Sequence, residues 1–241
     1  MKVLVVGASG LIGSAIAARL ASEGHEIVAV ARHPPQNSFP SAAWVALDLA
    51  RATDPNDWTA VLAGIEAVVN CAGVLQDGPG DSTAGVHTSG PAALFRACQR
   101  QGIRRVIHLS AVGVDREAPT QFSRSKIAGD QTLMALDLDW VILRPSVVIG
   151  RAAYGGSALL RGLASLPVMP LMPETAPLQI VHLDDLVDTV IFFLAQAPPP
   201  GKRSKSSARA VTRSRKLSHC FGNGCAGHPL ISFALHPGWQ D

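Results

Sequence analysis

The chain has 241 residues and a mass of 25.2 kDa, with 47% hydrophobic residues, 16% charged residues and a mean hydropathy of +0.22. That length suits one large α/β domain burying roughly 70–75% of its unfolded surface; the apolar content excludes a disordered chain, and aperiodic glycine (22) and proline (17) exclude collagen-like order. The charge is segregated: residues 1–201 hold 14 basic and 17 acidic residues, and residues 202–241 hold 7 basic residues and one acid, Asp241. The pI of 8.8 therefore belongs to the last forty residues, which argues against a nucleic-acid-binding body. No apolar run reaches the ~18 residues of a membrane span, MKVLVVGASG is too short in apolar residues for a signal peptide, and four cysteines do not make a disulfide framework at this length. A soluble cytoplasmic protein is expected.

Strand-like and helix-like segments alternate from the start. Lys2–Val6 is a β-branched run ending in glycine, and Leu11–Ser22 places Leu11, Ile12, Ala15, Ile16 and Ala18 at helical spacing before Gly24. Ile27–Ala31 and Trp44–Leu47 read as strands, and Asp54-Pro55 opens a predicted helix through Leu62. Ala67–Asn70, Val106–Leu109 and Trp140–Leu143 repeat the strand signal, with helices predicted over Ala92–Arg100 and Lys126–Ala135. Continuous apolar strands separated by amphipathic helices predict a doubly wound parallel sheet, covered on both faces. One such domain over residues 1–201 is expected, with small additional elements.

The turn GASGLIG sets Gly7, Gly10 and Gly13 between the first strand and the first helix. Gly7 permits a tight turn, Gly10 lets a pyrophosphate approach the backbone, and Gly13 lets the helix pack on the strand. The N–H groups at the helix start, around Leu11, Ile12 and Gly13, offer partial positive charge to phosphates. The second strand ends in Ala31-Arg32-His33, with no acid between Glu26 and Asp48. An acid there reads the ribose 2′-hydroxyl of NAD, whereas Arg32, aided by Ser9, can bind a 2′-phosphate. NADP(H) is therefore favoured over NAD(H).

The G-x-x-G-x-x-G spacing resembles the extended and atypical short-chain dehydrogenase/reductase families, and the likeness recurs as far as about Ala195. NCAG (Asn70–Gly73) is similar to the family's NNAG, which implies that Cys71, Ala72 and Gly73 line the adenine side of the cofactor. Asp48, followed by Leu49, resembles the acid that contacts the adenine amine. RPSVVIG (Arg144–Gly150) resembles the segment beside the nicotinamide amide, which implicates Pro145 and Val147. VHLDDLVDTV (Val181–Val190) resembles the segment bordering the substrate.

The resemblance fails at its chemical centre. Family enzymes use a Tyr-x-x-x-Lys pair at i, i+4 on one helix, the lysine holding the nicotinamide ribose and lowering the tyrosine pKa. Here the stretch is Phe122-Ser123-Arg124-Ser125-Lys126: the lysine remains and the tyrosine is phenylalanine. The family's serine aligns with Ala111, leaving Ser110 one residue early, and its helix asparagine aligns with His87; the one tyrosine, Tyr154, lies elsewhere. Three readings follow. An oxidoreductase could use Ser110, His87, Ser123 or Tyr154 as proton donor, as isoflavone-reductase-like members work without the tyrosine. The chain could bind NADP(H) as a redox sensor, as NmrA-like proteins do, or hold it structurally, as does the accessory subunit of respiratory complex I. The substrate, a carbonyl compound or quinone, is not named by the sequence. The glycine-rich loop Gly73–Gly85 is a candidate lid, and Asp184, Asp185 and Asp188 read as helix-start acids rather than metal ligands.

From Lys202 periodicity and acids vanish, giving a basic, low-order tail over 202–241. The spacing of His219, Cys220, Cys225 and His228 fits no common zinc pattern, so no metal is expected. A reading-frame shift near residue 202 accounts for the change best. A two-nucleotide shift permits a strand, a Gly-Pro turn and an amphipathic helix, which the coding DNA would decide.

Overall fold

In the computed structural model the described residues are 1–35, 42–115, 120–151, 162, 179–195 and 208–210. The strands are β1 (Lys2–Val6), β2 (Glu26–Ala31), β3 (Ala42–Ala46), β4 (Ala67–Asn70), β5 (Arg105–Leu109), β6 (Asp139–Leu143), β7 (Val147–Ile149), β8 (Ile180–His182) and β9 (Ala208–Ala210). The helices are α1 (Leu11–Ser22), α2 (Gly90–Gln101), α3 (Gln121–Met134) and α4 (Leu183–Ala195). Seven strands form one sheet in the order β3-β2-β1-β4-β5-β6-β9, every pairing parallel, and β7 and β8 form a separate parallel pair. The doubly wound Rossmann-like sheet read from the sequence is the one observed.

The pleat explains why the central runs are largely apolar on both faces. Val3, Val5, Ile27, Ala29, Val69 and Ile107 face Ile16 and Leu20 of α1 and Leu186, Val190 and Phe193 of α4. The alternate residues Leu4, Val6, Val28, Val30, Val68 and Val106 face Leu94 and Phe95 of α2, Leu133 of α3, and Trp58. Each of these central-strand residues thus buries its side chain on one face or the other. Fully burying one such side chain contributes about 1.5–3 kcal/mol. At one sheet margin Arg105 makes a buried ion pair with Asp139 at 2.7 Å and donates to the Phe193 carbonyl, tying β5 and β6 to the end of α4. Asp184 and Asp185 lie in the first turn of α4, as expected of helix-start acids, and Asp188 pairs with Arg19 of α1 at 3.0 Å.

Some local expectations change. The predicted helix from Asp54 to Leu62 is a single 3₁₀ turn, Pro55–Trp58, followed by turns to Gly64. Asp54 accepts the Asn56 N–H and Asp57 accepts the Asp54 N–H, so side chains close the tight turn, which is too short to propagate as an α-helix. Trp58 is then held by donating its indole N–H to the Ala52 carbonyl at 3.2 Å. α3 begins five residues before Lys126, capped by Thr120, whose hydroxyl accepts the Ser123 N–H. α2 is preceded by one turn of π-helix, Gly85–Ser89. Within the basic stretch 202–241, Ala208–Ala210 runs parallel beside β6; the other residues of that stretch, including the His/Cys set, lie outside the described residues, as does Tyr154.

The strand order reverses between β1 and β4: β2 and β3 extend one side, β5 and β6 the other. The carboxyl ends of β1 and β4 therefore diverge into a crevice, where ligands bind in open α/β sheets.

Candidate functional site

The crevice opens into two clefts joined at the glycine turn. The first, with a cavity volume of about 380 Å³, is lined by Gly7, Ser9, Gly10, Arg32, Asp48, Leu49, Cys71, Ala72 and Gly73, with Val30, Val74, Asp81 and Val86 among its other walls. The second, of about 570 Å³, is lined by Gly10, Leu11, Ile12, Gly13, Cys71, Gly73, Val74, Leu75, Leu109, Ser110, Phe122, Lys126, Val147 and Val148. The structure thus brings together nearly all of the residues singled out in the sequence. Two stand apart. Pro145 is not in either lining; its carbonyl accepts the Val112 N–H at 2.9 Å. His87 is buried behind the clefts rather than in their walls.

The glycine turn is built by close approach. Gly7 adopts φ +78°, and a Cβ there would lie 2.8 Å from the Ala72 nitrogen; a Cβ on Gly13 would lie 2.3 Å from the Gly7 carbonyl oxygen. Only glycine fits either position. Gly10 caps α1 without a side-chain hydrogen bond, and the first turn carries no acid. The N–H groups of the helix start are left to an anion. A cradle of this size and polarity, at the reversal of strand order, fits a dinucleotide pyrophosphate. Asp48 in the same cleft accepts the Ala50 N–H at 3.0 Å.

Arg32 reaches the first cleft, and it arrives partnered. Its Nη1 donates to Asp81 Oδ1 at 2.7 Å and to the Gly80 carbonyl at 2.6 Å. The loop after β4, expected as a lid, thereby crosses the cleft. Its other side is held by Asp77, which accepts the Thr83 N–H at 2.6 Å and a hydrogen bond from Gln121 of α3. The Thr83 N–H holds the Asp77 carboxyl below the usual carboxylate range.

In the second cleft Lys126 is buried, and its Nζ donates to the Leu109 carbonyl at 2.9 Å. A Cβ on Gly73 would be 3.4 Å from that nitrogen, so the ammonium sits over Gly73. Burial lowers its pKa to about 8, against the pull of Asp130. Cys71 lies between the clefts, its thiol pushed up to about 12 by burial, so it is not a thiolate nucleophile near neutral pH.

His87 has both ring nitrogens engaged. The Val74 N–H donates to Nε2 at 3.1 Å, which places the proton on Nδ1, 2.8 Å from Ser125 Oγ; Ser125 in turn donates to the Phe122 carbonyl. Burial, then the nearby Lys126 charge, lowers its pKa to about 3. The imidazole is neutral, and it ties the root of the loop to α3. Ser110 differs: it faces the second cleft, and its Oγ donates to Asp130 Oδ2 at 3.0 Å.

Asp130 is the centre of a buried network that the sequence reading missed. Its carboxyl accepts from Arg144 at 2.7 Å and faces His108 Nε2 at 3.5 Å. Asn70 Nδ2 donates to His108 Nδ1 at 3.2 Å, and Arg144 continues to Asp115 at 3.0 Å. Burial raises the Asp130 pKa while the Arg144 hydrogen bond opposes it, and burial keeps His108 neutral. A signal was available: Asn70 and His108 interrupt otherwise apolar strands, and buried polar groups require partners.

Comparison with known proteins settles the family. Residues 7–162 match the NAD(P)H-binding family. The chain belongs to that family. An uncharacterized protein of Mycobacterium tuberculosis is 31% identical over 199 residues, covering 79% of this chain and 21% of that protein. The ceramide reductase of Caulobacter vibrioides is 23% identical over 79% of this chain and 60% of its own length. Among solved structures, MoeE5 in complex with UDP-glucuronic acid and NAD has a TM-score of 0.66 at 22% identity, covering 83% of this chain and 74% of that one. The chain spans about a fifth of the length of the mycobacterial relative. It is thus an NAD(P)-binding Rossmann domain whose structural neighbours belong to the extended short-chain dehydrogenase/reductase and epimerase/dehydratase group. No helix among the described residues is long and apolar enough to cross a membrane, and none of their His, Cys, Asp or Glu side chains group as a metal site.

Proposed function

We propose that this domain is an NADP(H)-dependent oxidoreductase that works without a Tyr–Lys pair. The observation that carries the proposal is the joining of the two clefts at the glycine turn, with Lys126 and Ser110 in the second. When bound, the nicotinamide supplies or accepts a hydride. Gly7, Ser9 and Gly10, with the α1 N–H groups, hold the pyrophosphate. Asp48, Leu49 and the Cys71–Gly73 backbone border the adenosine, and Arg32 meets its 2′-phosphate. Lys126, fixed by the Leu109 carbonyl, donates to the nicotinamide ribose. Val147 borders the nicotinamide, and Pro145 positions that segment through its bond to Val112.

Phe122 cannot exchange a proton, and His87 has both nitrogens committed. Ser123 pairs with Thr120 outside both linings, so Ser110 is the hydroxyl that meets a substrate oxygen, its O–H turning from Asp130 to donate there. The walls beside it (Leu11, Ile12, Val74, Leu75, Phe122 and Val148) are apolar. They suit an apolar carbonyl compound or a quinone. Relatives named as a ceramide reductase and as a dTDP-4-dehydrorhamnose reductase are in keeping with carbonyl reduction.

The substitution Phe122 for tyrosine supports a second reading, in which the cofactor is bound without turnover, as a redox sensor or as an accessory subunit of a respiratory complex. One experiment separates them. NADPH and NADH are titrated against the protein, and single-turnover oxidation is followed with panels of carbonyls and quinones. Hydride transfer to any panel member supports the enzyme; tight binding with no oxidation supports the sensor or accessory role. No affinity for either nucleotide refutes both.

A further inference from the structure

The end of β2 carries no acid, yet the wall of the first cleft beside Arg32 does hold a carboxylate. It is Asp81, 49 positions further along the chain, with its Oδ1 2.7 Å from Arg32 Nη1. Backbone geometry holds it there: Gly78 and Asp81 exchange two hydrogen bonds of 3.1 and 3.0 Å, Gly80 turns the chain at φ +81°, and the Gly80 carbonyl accepts from the same Arg32 nitrogen. Both Arg32 and Asp81 line the cleft.

We infer that Asp81 is a cofactor-discriminating residue. Paired with Arg32, it takes the place of the acid absent from β2 and accepts from a ribose 2′-hydroxyl, and it must release Arg32 before a 2′-phosphate can bind. The inference rests on the proposal that Arg32 reads the 2′ position. Two effects set its direction. A phosphate and the Asp81 carboxylate compete for one guanidinium, and the two anions repel when both stand beside it. The Arg32–Asp81 pair is partly exposed, with side chains 42% and 38% accessible, so it yields at modest cost. Asp81 therefore sets the ratio of NADPH to NADH affinity without excluding either nucleotide.

The test titrates wild type, Asp81→Asn, Asp81→Glu, Arg32→Gln and the Asp81→Asn/Arg32→Gln double variant with NADPH and with NADH. Removing one exposed pair and one like-charge contact should tighten NADPH binding about five- to twentyfold in Asp81→Asn. NADH binding should stay level or weaken by up to about threefold. Asp81→Glu should keep the wild-type ratio, and Asp81→Asn should bring no gain once Arg32 is glutamine. An Asp81→Asn variant that shifts both nucleotides equally, or neither, overturns the role of Asp81; a selective NADPH loss in Arg32→Gln would then leave the NADP(H) reading standing. Equal loss of both nucleotides in Arg32→Gln overturns that reading and the inference with it.

Discussion

The first cleft is made largely of backbone and the second of side chains, and the two have fared differently. Around Gly7, Gly10 and Gly13 the binding groups are N–H donors and the space left by missing Cβ atoms. The pyrophosphate cradle itself therefore depends on the glycines more than on any other side chain. Around Lys126 the lining groups are single side chains, and Phe122 stands on an intact helix where the resemblance leads one to expect a tyrosine. A cradle built from backbone is less exposed to single side-chain replacements than a lining built from side chains.

The largest expected effect attacks the backbone-built end. Gly13→Val must displace the Gly7 carbonyl from a 2.3 Å approach, and binding of either nucleotide should fall more than about 100-fold, read by fluorescence titration with circular dichroism as the control for folding. If binding survives, the glycine turn is not the cradle.

Next comes re-arming of the other end. Phe122→Tyr restores a phenol four residues before Lys126, and turnover with the best carbonyl of the panel should rise about 100-fold. An unchanged rate would show that the second cleft has lost more than one group.

A smaller, pH-dependent effect follows from Lys126. Its pKa is lowered from the ordinary 10.5 to about 8 by burial, so above pH 8 the folded free protein loses the ammonium proposed to hold the ribose. Dinucleotide affinity should decline above that point by up to about tenfold, and Lys126→Met should remove the dependence. Stability moves the other way. The unfolded chain binds more protons between pH 8 and 10.5, so the cost of burying this charge is relieved as pH rises through that window.

The smallest effect is on acid stability. His87 falls from 6.5 to about 3 on folding, chiefly through burial, so the unfolded state binds the extra proton in that window and stability is lost as pH drops through it. His108 acts in the same direction. Thermal unfolding temperatures from pH 7 to pH 4 should fall steadily, and His87→Gln should make that slope shallower.

The glycine turn, the doubly wound parallel sheet and the helix that carries Lys126 were legible because each leaves a local pattern: a spacing of three, alternating strand and helix runs, an i, i+4 spacing. Asp81 beside Arg32 was not, since a glycine-rich loop carries no periodicity to say where it folds back. The Asn70–His108–Asp130–Arg144 network shows the intermediate case. Each strand betrays one misplaced polar residue, but the partners come from β4, β5, α3 and the segment after β6, and only the assembled sheet matches them. The Asp54–Leu62 segment was misread because its proline and apolar spacing suit a helix, while Asp54 and Asp57 bond the backbone locally and end it after one turn.

The chain of bonds from the Val74 amide through His87 to Ser125 has a mechanical consequence. Ser125 adjoins Lys126 on α3, and Val74 begins the segment that spans the opening. The backbone of Gly129 also abuts the His87 carbonyl so closely that a Cβ there would lie 2.1 Å away. Val74 of the loop and Ser125 beside Lys126 are thus keyed to one imidazole, so a shift at either end changes a hydrogen bond that the other end depends on.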